Sequence, residues 1–157
     1  MKWLIPLSLV LLLAACAPAT NSAAFELQLL HFSDIDGGRD IVGNAPRFSA
    51  LLDSFRSQKP SNTLVLSSGD NWIPGPEYNI AEDDALASVL GTAGAGRAHV
   101  AWLNALGVQA SSFGNHEFDV GTGAVAALVA PGTEDGDTWT GAAFPYLSTN
   151  LDFSTDE

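Results

Sequence analysis

Three short polar motifs along the chain each follow an apolar, strand-like run. They are Asp34-Ile35-Asp36, Gly69-Asp70-Asn71 and Gly114-Asn115-His116-Glu117-Phe118-Asp119. The carboxyl ends of parallel strands lie at one edge of a sheet, so we expect these side chains to meet there. Carboxylate and amide oxygens with a neighbouring imidazole suit a divalent cation. The sequence therefore predicts a metal site on a sheet edge, and hence an enzyme.

The oxygen donors of the motifs are the candidate metal ligands. Asp34 and Asp36 are two residues apart at one strand end, so both can turn toward one cation. Asp70 could bridge two ions, and Asn115 offers a neutral carbonyl oxygen. Two divalent ions, drawn from Mn, Zn, Mg, Ca or Co, would clamp a phosphoryl oxygen and convert water to a nucleophile.

The third motif also contains a candidate catalytic pair. His116 could act as a ligand or as a general acid, and Asp119 is near enough in sequence to orient its ring. Taken singly, each motif has a plainer explanation: Asp-x-Asp is usually a turn or a helix cap, and Gly-Asp is a common turn. The order of three motifs, each after an apolar run, favours the site.

Hydrophobic periodicity predicts strands that alternate with helices, and hence an α/β fold with a mostly parallel sheet. The predicted strands are 27–33, 63–68, 108–113 and 147–153. The predicted helices are 46–57, 97–106 and 122–130, together with a short helix that opens at 82–84 and ends at Gly91. We expect loops at 72–78 and 132–141. His31 is expected in the core with a hydrogen bond, His99 at the surface or in packing, and Trp72 as a loop anchor.

The first residues are typical of an export signal. Met1-Lys2 precedes the apolar stretch 4–13, and small residues lead into Cys16. Since Cys16 is the only cysteine in the sequence, we favour a lipoprotein signal over an ordinary signal with a chance cysteine. The predicted organisation is a signal peptide at 1–15, a flexible tether at 16–24 and a domain at 25–157. The protein would be exported and held at the cell envelope by its lipid.

Composition narrows the range of partners. The formal net charge is −12, and no basic stripe is present to meet phosphates, which argues against a nucleic acid polymer as partner. The same charge argues against electrostatic adhesion to anionic lipid, so membrane attachment would depend on the lipid anchor. A single cysteine allows no internal disulfide, and the fold must depend on packing, or on packing and metal.

At the residues of the three polar motifs, the chain resembles the calcineurin-like metallophosphoesterases, and within them the 5′-nucleotidase branch. The resemblance implies the front half of a four-layer α/β/β/α sandwich. It implies metal ligation by Asp34, Asp70 and Asn115, a dyad of His116 with Asp119, and a small phosphorylated substrate, possibly a nucleotide.

This chain departs from the family pattern at two points. The family has histidine where this chain has Asp36, and its later histidine motifs do not appear before Glu157. We therefore expect a truncated catalytic domain that is inactive by itself. The alternative is a non-catalytic lipoprotein that retains the fold and binds metal or ligand weakly at most.

We predict that Cys16 is the lipidated first residue of the mature protein. Cys16→Ala should abolish labelling by a radioactive fatty acid in a bacterial host and release the protein from membranes, because no other thiol is present. Ser22→Ala is the matched control and should label normally. Undiminished labelling of the Cys16→Ala variant would disprove the assignment.

Overall fold

The computed structural model describes residues 24–35, 41–134, 136–152 and 154, and its centre is a four-stranded sheet. The strands, in the spatial order β1-β2-β3-β6, are β1 Gln28–Phe32, β2 Thr63–Ser67, β3 Ala110–Ser112 and β6 Tyr146–Leu147. All three pairings are parallel. The helices are α1 Ile41–Arg56, α2 Pro76–Asn79, α3 Ala87–Leu90, α4 Arg97–Leu106 and α5 Thr122–Val129. This confirms the predicted α/β class.

The register of the sheet brings the motifs to one edge. Phe32 pairs with Ser67, and Ser67 pairs with Ser111. Each of the three strands therefore ends at nearly the same level, and each motif begins two residues after its strand ends. This arrangement follows from parallel crossovers, which return every strand to the same starting side.

One face of the sheet carries the larger part of the core. Val65 on β2 is 1% exposed, and it packs in a cluster with Leu52 of α1 and Leu103 of α4. The two helices also meet, since the rings of Phe48 and Trp102 lie 5.9 Å apart, edge to face. The helical spacing of apolar residues in α1 is therefore only partly used, because Leu51 and Phe55 remain exposed.

The opposite face of the sheet is poorly covered by the described residues. Leu29 on β1 and Leu147 on β6 are each 56% exposed. His31 lies on this face too. Its side chain is exposed, so the prediction that it is a core residue is wrong. Its predicted hydrogen bond is present, because the imidazole Nε2 lies 3.0 Å from the Ser68 hydroxyl.

A second apolar cluster joins α4 and α5 to the loop after β2. It contains Trp72, Tyr78, Val100, Leu128 and Trp139. Trp72 is fully buried, which supports its prediction as a loop anchor. The indole of Trp139 donates to the Leu128 carbonyl at 2.9 Å, so the residues around it are fixed to the end of α5.

Two segments differ from their predictions toward the end of the chain. The predicted loop 132–141 contains a hairpin, β4 Gly132–Glu134 with β5 Asp137–Trp139, because Thr133 pairs with Thr138 and Trp139 is buried. The predicted strand 147–153 is much shorter. Ser148 accepts from the Leu151 amide at 3.2 Å, and such local bonds compete with strand pairing.

The helices are close to their predicted places, with three adjustments. Helix α1 begins at Ile41, so Pro46 lies inside it, and the packing of its apolar face on the sheet outweighs the lost amide bond. The predicted loop 72–78 runs into α2, with Pro76 as its first residue. The predicted helix after Glu82 is a series of single turns that ends at Gly91.

The α4 prediction is confirmed at both ends, including Gly107 as the left-handed cap with a φ of 68°. Of the two placements considered for His99 on this helix, packing is the observed one, because the side chain is 7% exposed. Across the described part of the chain, no helix is both long and apolar enough to traverse a bilayer. The predicted signal, the tether up to residue 23 and Cys16 lie outside the described residues.

Candidate functional site

The first two motifs are joined by their backbones. The Asp34 amide donates to the Gly69 carbonyl at 3.2 Å, and the Ser68 amide donates to the Phe32 carbonyl at 3.1 Å. These bonds continue the β1–β2 ladder beyond the strands. Asp34 and Asp70 are thereby placed on neighbouring turns at the carboxyl edge of the sheet, as the sequence predicts.

Both of these aspartates have left-handed backbones. Asp34 has a φ of 55° and Asp70 has a φ of 51°. This region is unfavourable for residues with a Cβ, although aspartate tolerates it better than most. Conformations of this kind persist where surrounding contacts enforce them, and they concentrate at functional sites. Two of them on adjacent turns indicate a site whose geometry is imposed by its neighbours.

The second and third motifs approach so closely that both need glycine. A Cβ on Gly69 would overlap the Gly114 amide, and a Cβ on Gly114 would overlap the side chain of Asp70. The glycine before each polar residue therefore has a physical reason, which is the close approach of two backbones.

Glu117 binds these two turns together. Its side chain is 0% exposed and accepts four hydrogen bonds from described residues. The Asp70 and Gly114 amides donate to Oε2 at 2.9 and 2.8 Å, and the Asn71 amide donates to Oε1 at 2.8 Å. The fourth donor is the Asn71 side chain, at 3.1 Å. A buried carboxylate with a full set of N–H donors can hold both turns in place without a cation.

A buried polar network extends from Asn71 under the site. The side-chain oxygen of Asn71 accepts from the Ser67 hydroxyl at 2.6 Å. The side-chain nitrogen of Asn71 donates to the Ser111 hydroxyl at 3.1 Å and to the Tyr146 hydroxyl at 3.4 Å. Burial, followed by the nearby Glu117 charge, raises the pKa of Tyr146. The phenol therefore stays protonated at neutral pH. The network spans β2, β3 and β6 and connects the sheet to the motif turns.

The third motif turns back over Asp70. The His116 amide donates to Asp70 Oδ1 at 2.9 Å. The His116 ring places Nδ1 2.7 Å from Asp119 Oδ2, with both side chains about one-third exposed. This is the predicted pairing, and it favours the tautomer with its proton on Nδ1. The 3-10 turn His116–Phe118 sets the three-residue spacing that makes it possible.

The remaining predicted ligands are less well defined. Asn115 is exposed and adjacent to the Asp70–His116 contact, while Asp36 lies outside the described residues. Among the described residues, no three of His, Cys, Asp and Glu form a group that could hold a metal ion. The oxygen donors of Asp34, Asp70 and Asn115 fit a divalent cation in type, and the described ligands leave its coordination incomplete.

Comparisons with known proteins support this fold. No protein-family model matches the chain. It is 29% identical to a snake venom 5′-nucleotidase of Gloydius brevicauda over 87% of its length, and 27% identical to the 5′-nucleotidase of Mus musculus over 94%. The 5′-nucleotidase precursor of Thermus thermophilus superposes on 84% of the chain with a TM-score of 0.55 and 26% identity. The chain is a relative of the 5′-nucleotidases.

The NAD nucleotidase of Haemophilus influenzae shares the fold, with a TM-score of 0.51 over 79% of this chain. The 5′-nucleotidase relatives and the Thermus structure confirm the resemblance to the 5′-nucleotidase branch of the metallophosphoesterases, for the N-terminal part of such enzymes. The chain spans 22% and 24% of the venom and mouse 5′-nucleotidases, and 24% of the Thermus chain.

Sequence reasoning missed two residues of the site. Glu117 and Asn71 belong to the third and second motifs, but the sequence pattern assigns neither of them a role. Their position could have indicated a structural role. A charged residue inside a motif that follows an apolar strand must either accept hydrogen bonds from protein donors or remain in contact with water. Which of these two outcomes occurs depends on contacts between turns 46 or 47 residues apart, and periodicity does not report on such contacts.

We predict that Glu117→Ala destabilises the protein strongly. Removal of the carboxylate leaves the amides of Asp70, Asn71 and Gly114 without their acceptor, and each buried unsatisfied group costs about 1–3 kcal/mol. The free energy of unfolding, measured by denaturant titration, should fall by at least about 3 kcal/mol. Glu82→Ala, at an exposed position, is the control and should change it by less than about 0.5 kcal/mol. Equal effects of both variants would show that Glu117 does not hold the turns.

Proposed function

We propose that this chain is part of an exported, lipid-anchored and metal-dependent phosphatase that hydrolyses phosphomonoesters, including 5′-nucleotides. The observation that carries the proposal is the convergence of three motif turns at one sheet edge. Asp70 contacts the His116 amide there, and the His116 ring pairs with Asp119. The relatives named as 5′-nucleotidases support the class of substrate.

In the proposed site, Asp34, Asp36, Asp70 and Asn115 would hold two divalent ions. The ions, when bound, would polarise the phosphoryl oxygens and supply an activated water. Asp70 is the candidate for a shared ligand, because it lies between the first and third motifs. The exposure of Asp34 and Asn115 would leave the edge open to a substrate.

His116 would act on the phosphoryl group or on its leaving oxygen. With Nδ1 directed at Asp119, the ring is held at a fixed angle. An imidazolium at the edge would stabilise negative charge that develops in the transition state or protonate the leaving alkoxide. Asp119 would be a positioning residue in this scheme, because it acts through the ring.

Export and lipidation remain proposals from the sequence. They are supported by the signal-like residues 1–15 and by the single Cys16. One of the relatives is a venom protein by name, which is in keeping with export of this type of enzyme. The alternative is a non-catalytic lipoprotein that retains the fold and binds metal or ligand weakly at most.

We predict that His116→Ala in the complete protein lowers turnover of AMP at least about a hundredfold, as loss of a general acid or charge stabiliser does. Asp119→Asn should cost less, because it disturbs only the orientation of the ring. Asp34→Ala or Asp70→Ala should instead lower the content of bound metal, measured by elemental analysis. Asp53→Ala on α1, exposed and outside the motifs, is the control for both measurements.

Two outcomes would contradict the proposal. Retention of full metal content by both the Asp34 and the Asp70 variants would show that the ligands are misassigned. Absence of phosphatase activity in the complete protein, with AMP and a generic phosphomonoester tested against each of the five metals, would favour the non-catalytic alternative.

A further inference from the structure

The start of helix α4 is bonded to the 76–82 segment, which consists of α2 and the 3-10 turn that follows it. The Gly96 amide donates to the Tyr78 carbonyl at 2.8 Å, and the Gly94 amide donates to the Ala81 carbonyl at 2.7 Å. A Cβ on Gly96 would overlap the Tyr78 ring, so the two segments approach as closely as glycine allows. We call this contact the α2–α4 junction.

His99 is buried in the α2–α4 junction. Its ring lies 6.3 Å from the Tyr78 ring, measured between centroids. The Nδ1 atom of His99 has less than 1 Å² of accessible area and no hydrogen-bond partner among the described residues. A neutral imidazole has one N–H, which Nε2 can carry, whereas the imidazolium has an N–H on both nitrogens. Protonation would therefore place a charged donor where it meets neither water nor an acceptor, which is costly.

The ionisable groups of the 76–82 segment do not remove this cost. The Glu77 carboxylate is partly buried and lines the same cavity as His99, but it makes no hydrogen bond to Nδ1. Burial, followed by the Glu82 charge, raises the pKa of Tyr78, so the phenol is neutral. Burial lowers the pKa of His99, and the Glu77 charge only opposes that shift. The packed ring is therefore the neutral form.

The other helices that contact α4 bring no charge to His99. Helix α1 faces the same cavity with Val42 and Ala45, and the described residues of α3 and α5 include no charged or titratable side chain. On α4 itself, the Arg97 guanidinium donates to the Thr92 hydroxyl and lies over the Trp139 ring. No described group is thus placed to accept a proton from Nδ1 of an imidazolium.

We propose that His99 is an acid-sensitive release of the α2–α4 junction. When the imidazole takes a second proton from solvent, the ring leaves its packed position, and the 76–82 segment separates from α4 while the sheet stays folded. The released form takes up this proton near the ordinary pKa of 6.5, and the packed form does so only at lower pH. His99 therefore has no effect on the junction above about pH 6.5, and it destabilises the packed form as the pH falls below that value.

Release of the junction would reach the motif edge through Trp72. Trp72 and Tyr78 belong to the same apolar cluster, and Trp72 is two residues after Asp70 in the sequence. Loss of the packing on Tyr78 would therefore loosen the loop that leaves the motif edge. The inference concerns conformation alone, and it does not depend on phosphatase activity or on a bound metal ion.

The test is the hydrogen exchange of single backbone amides in the purified full chain at pH 7.5 and at pH 5.5. The Gly94 and Gly96 amides report on the junction, and the Gln109 amide, which donates to the Val65 carbonyl at 2.9 Å, reports on the sheet. After correction for intrinsic exchange rates, we expect protection of the junction amides to fall at least about threefold more than that of Gln109. Constant protection at the junction, or an equal loss at Gln109, would overturn the proposal.

A variant assigns the effect to His99. His99→Leu removes the titrating ring and keeps an apolar side chain of similar size, so its junction amides should have the same protection at both pH values. His31→Leu, which removes an exposed imidazole, is the matched control and should keep the native pH dependence. A pH dependence that persists in His99→Leu would assign the release to another group and refute the proposal. The measurement on the native protein decides the question if His99→Leu does not fold.

Discussion

The site depends on one buried carboxylate. Glu117 lies under the ends of β2 and β3, where the turns that follow these strands leave backbone amides pointing inward. Without an acceptor these amides would be buried and unpaired, and the Gly69–Gly114 contact would have no compensating interaction. The carboxylate satisfies donors from both turns and from Asn71 at the same time.

The distribution of charge at the edge follows from this arrangement. Glu117 is surrounded by neutral N–H donors, and Asp119 is paired with His116. Asp34 and Asp70 are the motif carboxylates whose described contacts include no basic side chain. Anionic groups held close together repel one another, and a cation between them relieves that repulsion.

Much of this could be predicted from the sequence, for reasons that are local. Apolar runs with a polar residue at the end define the strands, and parallel crossovers bring Asp34, Asp70 and Asn115 to one edge. The His116–Asp119 contact follows from a spacing of three residues. The features that were missed depend on distant contacts. The burial of Glu117, the exposure of His31 and the hairpin around Trp139 are decided by which surface each meets, and that information is not present in periodicity.

The most direct test of this account is the hydrogen exchange of individual backbone amides in the native protein and in Glu117→Gln. Glutamine keeps one acceptor oxygen and replaces the other with a donor, so it cannot accept from all four groups that donate to Glu117. We expect the amides of Asp70, Asn71 and Gly114 to exchange slowly in the native protein. In the variant, those bonded to the replaced oxygen should exchange much faster, while the Val65 amide in the sheet core stays protected. Equal protection of all three motif amides in both proteins would contradict the claim that Glu117 holds the site together.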